Sequence, residues 1–167
     1  MAVKQILIYP NDKLSKACES VEEGEDVSSV VENLLDTMEA YKAEGVAANQ
    51  IGVNKRIFVF KDHHGVPVVF VNPVIEHKSD VTMTAVEGCL SFPGVSLRIT
   101  RSSAVTIQAQ DEHGRTVIHS LKDTPAVAVQ HELDHLDGVV MLDHVEGRLE
   151  RRRALKRLKK VRKKHGI

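Results

Sequence analysis

Cysteine is scarce in this chain, with two in 167 residues. Cys18 and Cys89 are too few for a disulfide framework and fit a reducing compartment, so we expect a cytoplasmic protein. Long apolar runs are also missing. The segment from Met1 to Pro10 has one positive charge and a brief apolar stretch, which predicts neither a signal peptide nor a membrane-spanning helix.

No excess of one charge sign exists overall, since 23 Lys and Arg balance 23 Asp and Glu. With 42% hydrophobic and 28% charged residues, the composition is that of a soluble globular protein of one domain. The charges are unevenly distributed, because from Arg148 to the end eleven Lys or Arg accompany one acid, Glu150. We therefore expect a main body over 1–147 and a basic helical extension of the same domain over 148–167.

Hydrophobic periodicity predicts an α+β fold. From Asp26 to about Lys42, apolar residues recur at the spacing of one helical face. Two hairpins are predicted, one from Arg56 to Val71, ended by Asn72-Pro73, and one from Ile99 to Leu121. This order predicts antiparallel or mixed strands packed around a central helix, with an N-terminal packing helix and a C-terminal basic helix.

The predicted central helix has Thr124 as its N-cap and ends before Gly138. On it, His131 and His135 are four residues apart, so both imidazoles project from one face and can bind one divalent metal. Glu132 beside them can reach a metal-bound water without being a ligand. That arrangement is typical of a general base in metal-assisted hydrolysis.

The two histidines lack an obvious third ligand, because Met141 stands where the extended metalloprotease motif has another histidine. Cys89 is favoured by its setting, since Gly88 allows close approach and a loop can deliver the thiolate to the helix. Spacing alone does not decide among the candidates. They are Cys89, Cys18, His144, Glu146 and Glu150.

Small residues are dense from Ala43 to Gly52, which lets the backbone approach a ligand closely. Gln50 among them is a candidate hydrogen-bonding residue of a site. A tight turn into a strand, with Gln50 bonded to neighbouring backbone, explains the same pattern.

The basic C-terminal segment has a narrow apolar stripe, formed by Leu155, Leu158 and Val161. The stripe predicts a docked terminal helix with a solvated charged face. The charge density exceeds what solubility needs, which indicates a surface for RNA phosphates. The apolar face lacks aromatic anchors for a membrane surface, so we expect no membrane partner, and we expect no DNA partner.

Three stretches together resemble the motifs of the peptide deformylase family, GxGxAAxQ, EGCLS and QHExDHLxG. The chain has Ala43 to Gln50, an intact Glu87 to Ser91 and an intact Gln130 to Gly138. Its opening, Ile6 to Pro10, is also similar, so the resemblance covers nearly the whole chain. It implies a deformylase-like catalytic domain over 1–147, in which strands wrap around a central metal-binding helix. The implied activity removes the formyl group from the N-terminal formyl-methionine of nascent polypeptides.

The resemblance also implies roles for the site residues. Glu132 would be the general base and then the acid that protonates the leaving amine. The developing oxyanion would be met by the Gln50 side chain and the backbone N–H of Leu90, besides the metal. Ferrous iron is the expected native metal, and zinc, nickel or cobalt could replace it. The implied metal ligands are Cys89, His131 and His135.

Substrate contacts are expected from both motif regions. Val127 and Ala128 lie one turn before His131 and would line an apolar pocket for the methionine side chain. The implied substrate-binding residues are Gly45, Val46, Val127 and Ala128.

Departures from the family pattern fall in its first motif, at Ala43, Glu44 and Val46. Glu44 stands where the family has an apolar residue. Glu87 and Arg101 resemble the family's supporting ion pair, which would brace the cysteine loop.

Two other functions are open on the residues alone. One is a small HExxH metallopeptidase with an acidic or histidine third ligand. The other is an RNA-associated protein with a structural metal, although a structural site does not require Glu132. The resemblance favours deformylation, with the basic helix docking on ribosomal RNA.

Overall fold

The computed structural model of the protein describes residues 3–166 and has an α+β fold, as predicted. In this range the helices are α1 (Ser28–Tyr41), α2 (Asp123–Leu136) and α3 (Arg148–His165), and short 3-10 turns lie at Asp12–Ser15, Ala48–Ile51 and Met141–His144. The strands are β1 (Gly45–Ala47), β2 (Ile57–Lys61), β3 (Pro67–Lys78), β4 (Thr82–Gly88), β5 (Ser96–Ser102), β6 (Ala104–Gln110) and β7 (Thr116–Lys122).

The strands form two antiparallel sheets. The larger has the order β1-β2-β3-β6-β7, and β4 pairs with β5 in the smaller. The predicted hairpins correspond to β2-β3 and β6-β7. Ile99, predicted in the second hairpin, lies in β5 instead, because Ser103 donates to the carbonyl of Val81 and separates β5 from β6.

Asn72-Pro73 does not end the first hairpin, because β3 continues to Lys78 with a register shift at this point. Asn72 has φ 50°, a left-handed conformation that asparagine tolerates. Its side chain accepts from the Val21 N–H and donates to the Val21 carbonyl, both at 2.9 Å. Proline is accommodated at such an irregularity because a ladder hydrogen bond is already missing there.

Helix α2 crosses the core. Its residues Ala126, Val129 and Leu136 are fully buried against Phe58 and Phe70 of the large sheet. Burial of this apolar surface stabilises the motif helix against the sheet.

The sequence predicts the C-terminal end of α2 correctly but not its N-cap. The helix begins at Asp123, and its N-cap is Lys122 rather than Thr124, with no side-chain cap. Gly138 follows the helix with φ 73°, as predicted. A Cβ at Gly138 would lie 2.7 Å from the backbone of Lys16, so only glycine fits this close approach.

Helix α3 docks through a stripe that differs by one residue from the predicted one. Ala154 and Leu158 are buried in a cluster with Phe92 and Leu142, whereas Leu155 is 38% exposed. Positions 154 and 158 are four residues apart and lie close together on the docked face, whereas position 155 is rotated about 100° from position 154, toward solvent. None of α1, α2 and α3 combines the length and apolar composition that crossing a bilayer requires.

Candidate metal centre and its cavity

Two histidines of α2 form the centre of the site. His135 is buried, and its ring centroid lies 5.0 Å from that of His131. The Nδ1 atom of His131 is 2.8 Å from Glu87 Oε2, which leaves the Nε2 atom of His131 available to a ligand. The i, i+4 spacing thus places both imidazoles together, as the sequence predicted.

Cys89 completes the group from the loop after β4. Its Sγ atom is 3.2 Å from His135 Nε2, and one ligand atom from each of Cys89, His131 and His135 lies within 4.8 Å of the others. Within residues 3–166 these three are the only such group of histidine, cysteine and acidic residues. The antiparallel pairing of Gly88 with Ser96 fixes where the loop leaves the small sheet.

The other ligand candidates do not join this group. Cys18 is buried against the far end of α2, where its N–H donates to the carbonyl of Leu136. Burial raises the pKa of the Cys18 thiol to about 11, which disfavours the thiolate that a metal requires. His144 instead bonds Asp134 at 2.7 Å.

The donor set fits one divalent cation. A thiolate and two imidazoles are the ligands that zinc and the later first-row metals take, at about 2.0 to 2.3 Å from each donor atom. Glu87 behind His131 orients the ring, as partners of metal-binding histidines generally do. Although burial opposes it, hydrogen bonds from His131 and Arg101 lower the pKa of Glu87 to about 2, so this partner is a carboxylate.

A buried ionic network supports the ligands from behind. Arg101 donates to both carboxylate oxygens of Glu87, at 2.6 and 3.0 Å, which confirms the predicted pair. Arg101 also donates to Asp134 at 2.8 Å, and His144 approaches the same oxygen of Asp134. Asp134 thus connects α2 to the cysteine loop through Arg101.

Glu132 lies beside the metal group and is 5% exposed. Its Oε2 atom has no hydrogen-bond partner in the described part of the chain. Burial raises the pKa of Glu132 to about 7. A Cβ added at Gly45 would be 2.6 Å from Glu132 Oε1, so glycine is required where β1 passes this carboxylate.

Gln50 faces the same group from the opposite wall. Its Oε1 accepts from the Ala47 N–H at 2.9 Å, which orients the amide so that Nε2 points at Ser91 Oγ (3.1 Å) and Cys89 Sγ (3.4 Å). The alternative sequence interpretation, a Gln50 bonded only to neighbouring backbone, is therefore wrong. Leu90 follows Cys89 directly, and no group in residues 3–166 accepts a hydrogen bond from its backbone N–H.

A cavity of about 680 Å³ opens onto these residues and contains Gly45, Gln50, Leu90 and Glu132 in its lining. Its walls are mainly apolar and include the side chains of Val127 and Ala128, as predicted. Val46 does not line it. The Val46 side chain is fully buried in the core with Val59, because alternate residues of β1 point to opposite faces.

Sequence reasoning missed two walls of this cavity. One consists of Ile6, Ile8 and Tyr41, and the other runs from Phe92 to Ser96. Hydrogen bonds from Leu7 N to the Gln50 carbonyl and from Tyr9 N to the Ser91 carbonyl hold the N-terminal segment here. The similarity of Ile6 to Pro10 to the family pattern was the available signal.

Comparison with known proteins gives one family. The model of the polypeptide deformylase family matches residues 3–151. A peptide deformylase of Aquifex aeolicus is 40% identical over 95% of this chain and 96% of its own length. Another, from Pseudothermotoga lettingae, is 44% identical over 84% of this chain and 82% of its own.

Solved structures of peptide deformylases superpose closely on this chain. The peptide deformylase of Legionella pneumophila superposes with a TM-score of 0.93 at 32% identity, covering 99% of this chain and 98% of that one. The peptide deformylase of Ehrlichia chaffeensis in complex with actinonin gives 0.91 at 34% identity, covering 98% of both chains.

Proposed function

The chain belongs to the polypeptide deformylase family, and we propose that it removes the formyl group from the N-terminal formyl-methionine of nascent polypeptides. The observation that carries this proposal is the meeting of Cys89, His131 and His135 with the buried carboxylate of Glu132 in one mainly apolar cavity. Hydrolysis of a formamide needs an activated water, a group that moves its proton and a site for the oxyanion.

The ligands of the metal are Cys89, His131 and His135 in this proposal. We propose ferrous iron as the native ion and zinc, nickel or cobalt as ions that the same donors accept, since a thiolate with two imidazoles suits each of them. When bound, such an ion acts as a Lewis acid and lowers the pKa of a coordinated water. Glu87 keeps His131 in the orientation needed for binding.

Glu132 is the general base and then the general acid of the reaction. It takes a proton from the attacking water and later gives a proton to the amine of methionine, so that the formyl carbon leaves as formate. A pKa near 7 suits a group that must both accept and release a proton at neutral pH. The unpartnered Oε2 atom is free to make the contact with water.

Gln50 and Leu90 stabilise the negative charge that develops on the formyl oxygen. The Gln50 amide already points its N–H group toward Cys89, and the Leu90 N–H lies one residue beyond the same sulfur. Fixed donors of this kind typically contribute 10²- to 10³-fold each to the rate. One N–H of Gln50 would exchange its contact with Cys89 for the substrate oxygen.

The substrate lies along Gly45 with its methionine side chain in the apolar part of the cavity. Val127 and Ala128 supply that surface, since both line the cavity one turn before His131. Val46 contributes through its backbone only, because its side chain is buried in the core.

The experiment that tests this function is an assay of formate release from formyl-Met-Ala-Ser by protein loaded anaerobically with Fe²⁺. We expect turnover by the loaded protein, little by the metal-free protein, and loss of both metal and activity in Cys89→Ala. Cys18→Ala is the matched control and should keep both. Retention of metal by Cys89→Ala, or internal cleavage of an unformylated peptide, would favour a metallopeptidase instead.

We further propose that α3 contacts ribosomal RNA and that the protein works in the cytoplasm. In support, Ala154 and Leu158 of α3 pack against Phe92 and Leu142, as expected if 148–167 extends the domain over 1–147. Its exposed face is rich in Lys and Arg, and such a surface binds phosphates by releasing their counterions.

A further inference from the structure

Glu44 stands at the mouth of the substrate cavity. It precedes β1 and is exposed, and it lines the cavity together with Gly45 and Tyr41. Within the described residues, the carboxylate of Glu44 makes no hydrogen bond or ion pair. The backbone carbonyl of Glu44 accepts a hydrogen bond from the Lys61 N–H. Its charge is therefore available to a molecule that enters the cavity.

No basic side chain near Glu44 lines this cavity in the described residues: Lys61, whose N–H bonds the Glu44 carbonyl, has its Nζ atom 3.9 Å from Glu39. Of the lining side chains within residues 3–166, the acidic and histidine ones besides Glu44 are Glu87, Glu132 and His131, and there is no Lys or Arg. Arg101 pairs with Glu87 behind the wall, and Glu132 is buried at the reacting position. Glu44 is thus the exposed charged side chain that an incoming peptide meets.

The path of the peptide follows from the edge of β1. In the large sheet β1 pairs with β2 alone, and Gly45 brings its backbone against Glu132. An extended peptide that reacts at Glu132 can pair with this edge, as peptides do with free strand edges. Since an extended chain advances about 3.3 Å per residue, the first residues after methionine come within reach of the Glu44 side chain.

We propose that Glu44 is a specificity-determining residue that favours substrates with Lys or Arg shortly after the formyl-methionine and disfavours Asp or Glu there. This inference rests on the proposed deformylase function. Its basis is one unpaired, exposed carboxylate beside the path of the peptide, in a cavity that no Lys or Arg of residues 3–166 lines. The basic residues Arg153, Arg157 and Lys160 line a separate cavity that shares only Val95 and Ser96 with this one.

The test uses Fe²⁺-loaded full-length protein and formyl-Met-Ala-Ala-Ala peptides with Lys, Gln or Glu placed at the second, third or fourth position. We expect kcat/KM for Lys to exceed that for Glu by about two- to fivefold at one of these positions, the range of an exposed ion pair. The difference should lie in KM and shrink at about 0.5 M salt, where charges are screened.

Substitutions at position 44 test whether Glu44 causes the preference for Lys over Glu. Glu44→Gln should abolish the Lys-over-Glu preference, and Glu44→Lys should invert it, each rate being taken relative to that of the Gln-containing peptide with the same variant. Glu112→Gln, which removes an exposed acid that lines a different cavity, should keep the preference.

Three results would overturn the proposal: equal rates for Lys and Glu peptides at all three positions, a preference that survives in Glu44→Gln, or a preference for acidic peptides. The last would assign the selection to the basic residues of α3. Failure of the loaded wild type on the uncharged peptides would instead overturn the proposed function, and this inference with it.

Discussion

Helices α2 and α3 differ in whether their polar residues are buried or exposed. On α2, Gln130, Glu132 and His135 are buried inside the protein. On α3 the buried residues are Ala154 and Leu158, and the charged side chains face solvent. Helix α2 thus carries polar groups that are buried and held in fixed positions. Helix α3 carries charges that are screened by solvent and act together.

The difference is one of energetic cost. A buried polar group costs several kcal/mol unless it is hydrogen-bonded. On α2, Gln130, His131 and Asp134 have defined side-chain or backbone partners. Gln130, for example, donates to the carbonyls of Ser102 and Ala126, both at 2.9 Å. Removing a partner near α2 should therefore have a large effect, whereas removing one charge from α3 should have a small one.

The largest effect is expected for Glu132→Gln, which keeps the size of the side chain and removes its ability to accept a proton. We expect kcat for formyl-Met-Ala-Ser to fall by about 10²- to 10⁴-fold. Metal content, measured by elemental analysis, and thermal stability should stay near the wild type, because Glu132 is not a proposed ligand. Activity within tenfold of wild type would remove Glu132 from its role.

Arg101→Ala should cause the largest loss of stability. It leaves the carboxylates of Glu87 and Asp134 without their buried cation, and breaking such a pair costs about 3 to 5 kcal/mol. Urea unfolding of both proteins measures this. Arg115→Ala is the control, because Arg115 is exposed in its pair with Asp111 and should cost at most about 1 kcal/mol.

The dependence of stability on pH should also change in Arg101→Ala. Because the pKa of Glu87 is lowered to about 2 in the folded protein, its stabilising contribution is full above the usual carboxyl pKa near 4.5. That contribution is lost as the pH falls from there toward 2. Arg101→Ala should therefore lose less stability than the wild type over this pH range, and parallel acid unfolding curves would contradict the assignment.

Two leucines of α3 separate its docked face from its exposed face. Leu158→Ala removes a side chain that is 3% exposed, and should destabilise the protein by about 2 to 4 kcal/mol. Leu155→Ala removes one that is 38% exposed, and should cost less than about 1 kcal/mol. Equal losses in thermal or urea unfolding would mean that α3 does not dock as described.

The sequence predicts α2 better than it predicts the surroundings of α2. His131, Glu132 and His135 are local in the chain, and a helix of fixed pitch brings them together without further information. Cys89 is separated from them by more than forty residues, so spacing left it among five candidates. Its glycine-flanked loop favoured it, and the family resemblance selected it. Arg101 and Asp134 are also distant in sequence, so their pairing was not predicted.

Errors occurred where tertiary contacts override local pattern. Asn72-Pro73 reads as a strand end, yet the two hydrogen bonds to Val21 hold the chain in the sheet. The predicted apolar stripe of α3 included Leu155 and omitted the smaller Ala154, yet Ala154 is buried and Leu155 is exposed. For Val46, a predicted substrate contact, the side chain lies in the core, so only the backbone is available for that role.

The smallest effect on stability and chemistry, and the sharpest contrast with α2, is expected when exposed charges of α3 are removed. We propose a fourfold Lys or Arg to Gln variant on one exposed face of the helix. Its positions are Arg152, Lys156, Lys159 and Lys163. Stability should change by less than about 1 kcal/mol in total, and kcat/KM on free formyl peptides should stay unchanged, because none of the four lines the substrate cavity.

Ribosome binding by the same variant should weaken, and the slope of log K against log salt should fall by roughly one for each lost phosphate contact. A charge-matched control removes exposed cations outside α3, at Lys42, Lys78, Arg98 and Lys122. Deleting the helix would be a poorer test, because it also removes Ala154 and Leu158 from the core. If both variants bind ribosomes with the wild-type salt slope, the basic face of α3 is only a solvated surface, and the contrast with α2 is one of burial alone.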